Sequence, residues 1–132
     1  MSIELQALFG VTALLLTLLC VQGGLVPATH GFKWGLGPRD EPRDPSVVQG
    51  RLSRIVANHL EGMAMFVPLI LIAHMSDIST SLTQAGALVF LAGRAAFAVI
   101  YFIGIPVLRS ASWTVALIGL VMIGFELIKA GF

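Results

Sequence analysis

Apolar residues in this chain do not alternate with polar ones at short range. They form four long runs separated by punctuation rich in proline, glycine and charge. The runs cover about residues 3–26, 47–75, 81–105 and 111–130. Each approaches or exceeds the roughly 20 residues that an α-helix needs to cross a bilayer. Inside lipid every backbone amide must be satisfied within its own segment, so each run is expected to be a helix. The links between the second, third and fourth runs are short, which makes consecutive helices antiparallel neighbours. The pattern thus predicts an all-α, integral membrane, up-down four-helix bundle filling residues 1–132 as a single domain.

Composition moves the picture the same way. Of the 132 residues 57% are hydrophobic and only 11% charged, and the mean hydropathy is +0.92. Soluble domains carry about a quarter charged residues, so this much apolar surface calls for lipid as solvent. The net charge of +1 lacks the clustered basic excess of a nucleic-acid partner. The single cysteine, Cys20, sits inside an apolar run, which leaves no intramolecular disulfide and no Cys-based metal site. The first run lacks a basic leader and an A-x-A cleavage site, so it reads as a retained helix.

The first connection, residues 27–46, is long and contains Pro27, Pro38, Pro42 and Pro45 in a charged but nearly balanced stretch. Lys33, Arg39, Arg43 and Arg51 gather around it, and Arg109 marks the third connection, whereas Lys129 stands alone on the other side. The positive-inside rule then puts the loop in the cytoplasm and both termini outside. With no targeting segment evident, a bacterial inner membrane with periplasmic termini is the expected location. Trp34 and Trp113 are expected at the cytoplasmic interface, where indole rings prefer to sit.

The chemistry-bearing pattern is GRLSRIVANHLEGMAMFVP. At 100° per residue Arg51, Arg54, Asn58, Glu61 and Met65 share an arc of about 80° on the second helix. The third helix adds Arg94 and Tyr101 on one face, with Arg109 just past its end. Antiparallel packing brings the two sets to the same depth. Arg51, Arg54, Arg94 and Arg109 face only one acid, Glu61, although ionisable groups within membranes normally pair. Such an excess of guanidinium invites an external anion, and arginine suits bidentate grip of carboxylates. Glutathione fits: two carboxylates for arginines, an ammonium for Glu61, peptide groups for Asn58, and a thiol that nearby guanidinium favours as thiolate. The plainer alternative is an ion-pair network that fixes helix packing or oligomerisation.

These residues also carry a family resemblance. Arg51-x-x-Arg54-x-x-x-Asn58-x-x-Glu61, followed by Phe66 and Pro68, resembles the second-helix signature of the MAPEG family, membrane-associated proteins in eicosanoid and glutathione metabolism, in its bacterial form. Arg94, Tyr101 and Arg109 resemble that family's third-helix pattern. The resemblance implies a homotrimer with glutathione held between subunits as cosubstrate. Arg51, Arg54, Asn58, Glu61, Arg94 and Tyr101 then surround the thiol, and Arg109 activates it as the catalytic residue. It implies a glutathione transferase or peroxidase acting on lipophilic electrophiles that arrive from membrane lipid. It equally allows a non-catalytic lipid-binding or scaffold protein of the same fold. Phe97 stands where some members offer a tyrosine hydroxyl.

Other residues suggest structure before chemistry. His30, His59 and His74 have no His or acid partner at i,i+4, so a metal site is not expected; His59 suits an interhelical hydrogen bond. Pro68 predicts a bend, and Glu126 and Lys129 a pair. Glu4 is expected at the interface, and Gly86, Gly93 and Gly104 at close helix approaches. Met63 and Met65 suit the core, with a cosubstrate groove as the alternative. A small multidrug-type transporter would rely on an acid deep in the first helix, where this chain has only Glu4 at the edge.

Overall fold

A computed structural model describes residues 1–131. Helix α1 spans Ile3–His30, α2 Phe32–Gly35, α3 Val47–Met75, α4 Ser81–Ile103 and α5 Pro106–Gly131. Four of these, α1, α3, α4 and α5, are long and apolar enough to cross a membrane, and the described residues contain no strand. The expected all-α four-helix membrane bundle is what the chain forms, and its outward apolar side chains, Phe9, Val99, Val121 and Ile128 among them, meet lipid.

Local chemistry sets the ends of the helices. Ser46 and Thr80 begin α3 and α4 with reciprocal capping boxes, Ser46 with Gln49 and Thr80 with Thr83. Two expected boundaries shift. The first helix runs on through Pro27 to His30, because a proline in the last turn deletes one helical bond and no more. Gly31, at φ 84°, then breaks the chain direction, and α2 takes up the next four residues. The irregular loop is therefore 36–46 rather than 27–46.

That loop is tied down by its own arginines. Arg39 donates from Nε and Nη2 to the carbonyl of Gly35 (3.0 and 2.6 Å), and Arg43 donates to that of His30 (3.0 Å). Both guanidinium groups lie over Trp34, whose indole N–H donates to the carbonyl of Glu41 (2.9 Å). Cations thus complete the carbonyls left open at two helix ends.

The second shift concerns the last helix, expected from 111. It begins at Pro106, a residue pre-set for the first helical position. The turn before it is only Gly104–Ile105, with Gly104 at φ 91°. Arg109 therefore belongs to the first turn of α5 rather than to a tail of α4.

Helices α3 and α4 form the middle of the bundle, with α1 packed against both, α5 packed closely on α4 and more lightly on α3, and α1 and α5 apart. The α4–α5 seam is built of small residues. A Cβ on Gly86 would lie 2.8 Å from the carbonyl oxygen of Gly119, and one on Gly93 would lie 2.6 Å from the backbone nitrogen of Ala116. Gly104, expected at such an approach, serves instead as the left-handed cap of α4, with the Arg51 guanidinium seated against it. One apolar core holds Val11, Ile70, Ile123 and the stacked pair Phe66–Phe90 (4.2 Å between centroids); a second, nearer α2, holds Leu18, Leu52, Ile55 and Phe97.

Buried polar groups stitch α1 to its neighbours. Glu4 is buried at the start of α1, accepting hydrogen bonds from Thr83 Oγ1 (2.6 Å) and Ser79 Oγ (3.0 Å). His59 makes its expected interhelical bond, Nε2 to the carbonyl of Val11 at 3.0 Å. Glu126 and Lys129 pair at 3.1 Å, the one ion pair among the described residues.

Candidate functional site

The polar stripe of α3 faces the last turns of α4 and the first turns of α5. Arg54, Asn58, Glu61, Tyr101 and Arg109 line one cleft of about 430 Å³, together with Ala57, Phe97, Ser110 and Trp113. Three helices contribute because α3 runs antiparallel to α4, and the two-residue turn returns α5 at the same depth.

Tyr101 is the fixed point of the cleft. Arg54 Nε donates to its hydroxyl oxygen at 2.7 Å, the Arg109 guanidinium stands 4.9 Å from its ring centroid, and Phe97 meets it edge-on at 5.4 Å. Two cations on one aromatic ring hold it by hydrogen bond and by quadrupole attraction. Its hydroxyl hydrogen takes no part in the bond from Arg54, so it remains available to a ligand.

Behind this wall Arg94 is buried, 2% exposed, and stands over Phe97 at 5.0 Å. Its Nη1 donates to Asn58 Oδ1 at 2.8 Å, and Asn58 Nδ2 reaches Glu61 Oε2 at 3.4 Å. The chain Arg94–Asn58–Glu61 orients the only acid of the cleft without an arginine touching it. Arg94 Nε and Nη2 are buried without partners. Buried polar groups are nearly always bonded, so this pair marks a place where the protein alone does not complete its hydrogen bonding.

Arg51 lies elsewhere. It donates to the carbonyls of Phe102 and Ile103 (3.2 and 3.4 Å), closing the end of α4, and lines a smaller adjoining cavity of about 180 Å³ with Arg54, Tyr101 and Arg109. Five of the seven residues singled out in the sequence thus share the cleft, Arg94 supports it from behind and Arg51 borders it. Three of the four expected guanidinium groups, those of Arg54, Arg94 and Arg109, stand near the single carboxylate of Glu61, with no ion pair among them.

Two contributors went unread. Ser110 and Trp113 belong to the cleft because α5 starts at Pro106, which puts Trp113 one turn beyond Arg109 on the same face. Pro106 followed by Arg109 and Trp113 carries that signal in the sequence. Met65 lines a narrow slot beside the cleft, whereas Met63 packs on the core. No group of three or more His, Cys, Asp or Glu side chains is arranged to hold a metal among the described residues.

No curated protein and no solved structure matches the chain. The family model described as MAPEG family matches residues 7–129, which span all four membrane helices and every residue of the cleft. The chain is an integral multi-pass membrane protein and belongs to the MAPEG family.

Proposed function

We propose that the cleft binds glutathione, or a similar small anionic thiol, and that the protein transfers it to lipophilic electrophiles or uses it to reduce lipophilic peroxides. The observation that carries this reading is the cationic cleft itself, in which Arg54, Arg109 and Tyr101 converge while Glu61 stands apart and unpaired. A carboxylate of the ligand would take Arg54; its ammonium would take Glu61, which Arg94 holds through Asn58. The cleft has no nucleophilic thiol of its own, since Cys20 is exposed on α1. The reactive sulfur must come with the ligand.

Arg109 and the Tyr101 hydroxyl are the groups suited to hold that sulfur as thiolate. A guanidinium favours the anion by charge, and the phenol donates a hydrogen bond to it. The thiolate then attacks an electrophilic carbon presented from the lipid side, displacing its leaving group, or the terminal oxygen of a hydroperoxide, cleaving the O–O bond to give an alcohol and a sulfenic acid that a second thiol converts to disulfide and water. Arg51 contributes by holding the end of α4 and by extending the positive field of the mouth.

The assembly follows from cost. Arg54, Glu61 and Trp113 are exposed in the isolated chain, within helices that cross the bilayer. Charged groups are not left against hydrocarbon, which supports cover by a neighbouring copy; the assembly proposed is the homotrimer that the family resemblance implies. By the positive-inside rule the mouth faces the cytoplasm and both termini face outward, as in a bacterial inner membrane.

Thiolate formation tests the reading directly. Glutathione added to the purified protein should raise the ultraviolet absorbance of a thiolate at neutral pH, and Arg109→Ala should abolish the signal while glutathione still binds. An unchanged signal in that variant would remove Arg109 from its role.

A further inference from the structure

At the end of the bundle opposite the cleft, the first turn of α1 meets the α3–α4 turn around a cavity of about 130 Å³. Ser2, Glu4, His74, Asp77 and Ser79 line it. Both acids stand without a cationic partner. Neither α1 nor the segment 55–93 contains a lysine or arginine, and Lys129 is engaged by Glu126 in the one ion pair among the described residues.

Glu4 makes the stronger demand. It is 3% exposed, and its Oε1 takes both hydroxyl donors, from Thr83 and Ser79. Its Oε2 is also buried and has no partner. A carboxylate accepts at both oxygens, and buried polar atoms are nearly always bonded. A side chain that walls a cavity with one oxygen unpartnered calls for a donor from outside the chain. An unpaired acid in a membrane helix calls for that donor to be a cation. No trio of His, Cys, Asp or Glu side chains is arranged for a metal among the described residues. A primary ammonium suits the lining better, because it brings three N–H donors, enough for Glu4, Asp77 and a neutral oxygen such as that of Ser79. A trimethylammonium carries the charge without the donors. At roughly 30 Å³ per water the cavity has room for about four waters, enough for an aminoethyl group.

We propose that this cavity binds the primary-ammonium headgroup of a membrane lipid, of the phosphatidylethanolamine kind. The setting favours a lipid over a free amine. Ile3, Ile72 and Met75, close in sequence to the lining residues, are exposed apolar side chains on membrane-crossing helices, along which acyl chains lie. His74, exposed at the same rim, can donate to the phosphate. The bound headgroup ties the start of α1 to the α3–α4 turn. The site is separate from the thiol cleft, and its test does not depend on that reading.

Native mass spectrometry of the full-length protein, delipidated in detergent and titrated with phosphatidylethanolamine or phosphatidylcholine of identical acyl chains, is the test. One phosphatidylethanolamine should bind per chain, at least tenfold more tightly than phosphatidylcholine, the worth of one charge-assisted hydrogen bond. Glu4→Gln and Asp77→Asn should each remove that preference. Asp77 is exposed and left-handed, at φ 54°, a conformation that asparagine tolerates, so the second variant keeps the test sound should the first fail to fold. Free ethanolamine should compete at least tenfold more weakly than the lipid. Equal affinity for the two lipids, binding of neither, or a preference that survives in either folded variant would overturn the proposal. Ethanolamine competing as well as the lipid would overturn the lipid as the source of the ammonium.

Discussion

The close approach of α4 and α5 makes a sharp physical prediction. Replacing Gly119 by alanine adds one carbon, which would lie 2.5 Å from the Gly86 carbonyl oxygen, 2.6 Å from the Phe90 nitrogen and 3.0 Å from the Phe90 Cα. All three are backbone atoms, so no side-chain rotation relieves the clash and α4 must move away from α5. Overpacking of this kind costs about 1–3 kcal/mol. Gly124→Ala, five residues along the same helix, adds the same carbon with nothing within 4 Å. Both variants share the helix-propensity gain of about 1 kcal/mol that alanine has over glycine. Their difference therefore isolates the seam: Gly119→Ala should fall about 1–3 kcal/mol below Gly124→Ala, which at this chain length is a gap of roughly 4–12 °C in melting temperature. Circular dichroism melts in one detergent at one protein concentration measure it. Equal melting temperatures would show that α4 and α5 do not pack through their small residues, and would remove the basis for the shared depth of Tyr101 and Arg109.

Other perturbations separate structural from functional burial. Arg94→Leu should leave stability within about 1 kcal/mol of the parent, because an unpaired buried guanidinium is replaced by an apolar side chain. Glutathione affinity should nevertheless drop about tenfold to a hundredfold as Asn58 loses its charged partner; a large loss of melting temperature with unchanged affinity would reverse that assignment. Glu4→Ala removes the acceptor that the hydroxyls of Thr83 and Ser79 share and should cost about 1–3 kcal/mol, whereas Glu4→Gln keeps an acceptor and should cost less. Identical denaturation midpoints for the two would mean that the carboxylate does not hold α1 to α4.

Much of the fold was legible because the bilayer leaves the backbone so few choices. The second apolar run coincides with α3, Val47–Met75, whose start is fixed by the Ser46–Gln49 capping box. The first and last helices outran expectation for one reason. Proline was treated as punctuation at 27 and 106, yet Pro27 sits in a terminal turn and Pro106 at a first helical position, where the ring costs little. That small boundary error had a functional consequence, because it separated Arg109 from Ser110 and Trp113. The stripe from Arg51 to Met65 was visible as periodicity, but which of its members meet Tyr101 depends on helix rotation and on the depth of α5. Neither is encoded locally. Arg51 illustrates the limit: it lies on the same arc as Arg54, yet it spends its donors on the carbonyls of Phe102 and Ile103.

Occupancy of the cleft by a small anionic thiol is tested most directly by calorimetric titration of the detergent-purified protein with glutathione, repeated on Arg54→Ala and Glu61→Ala. Saturable binding by the parent is expected, weakened at least tenfold in each variant, the cost of one charge-assisted hydrogen bond. No saturable binding by the parent, or equal binding by all three proteins, would contradict the assignment and leave a four-helix MAPEG bundle whose cationic cleft serves another anion.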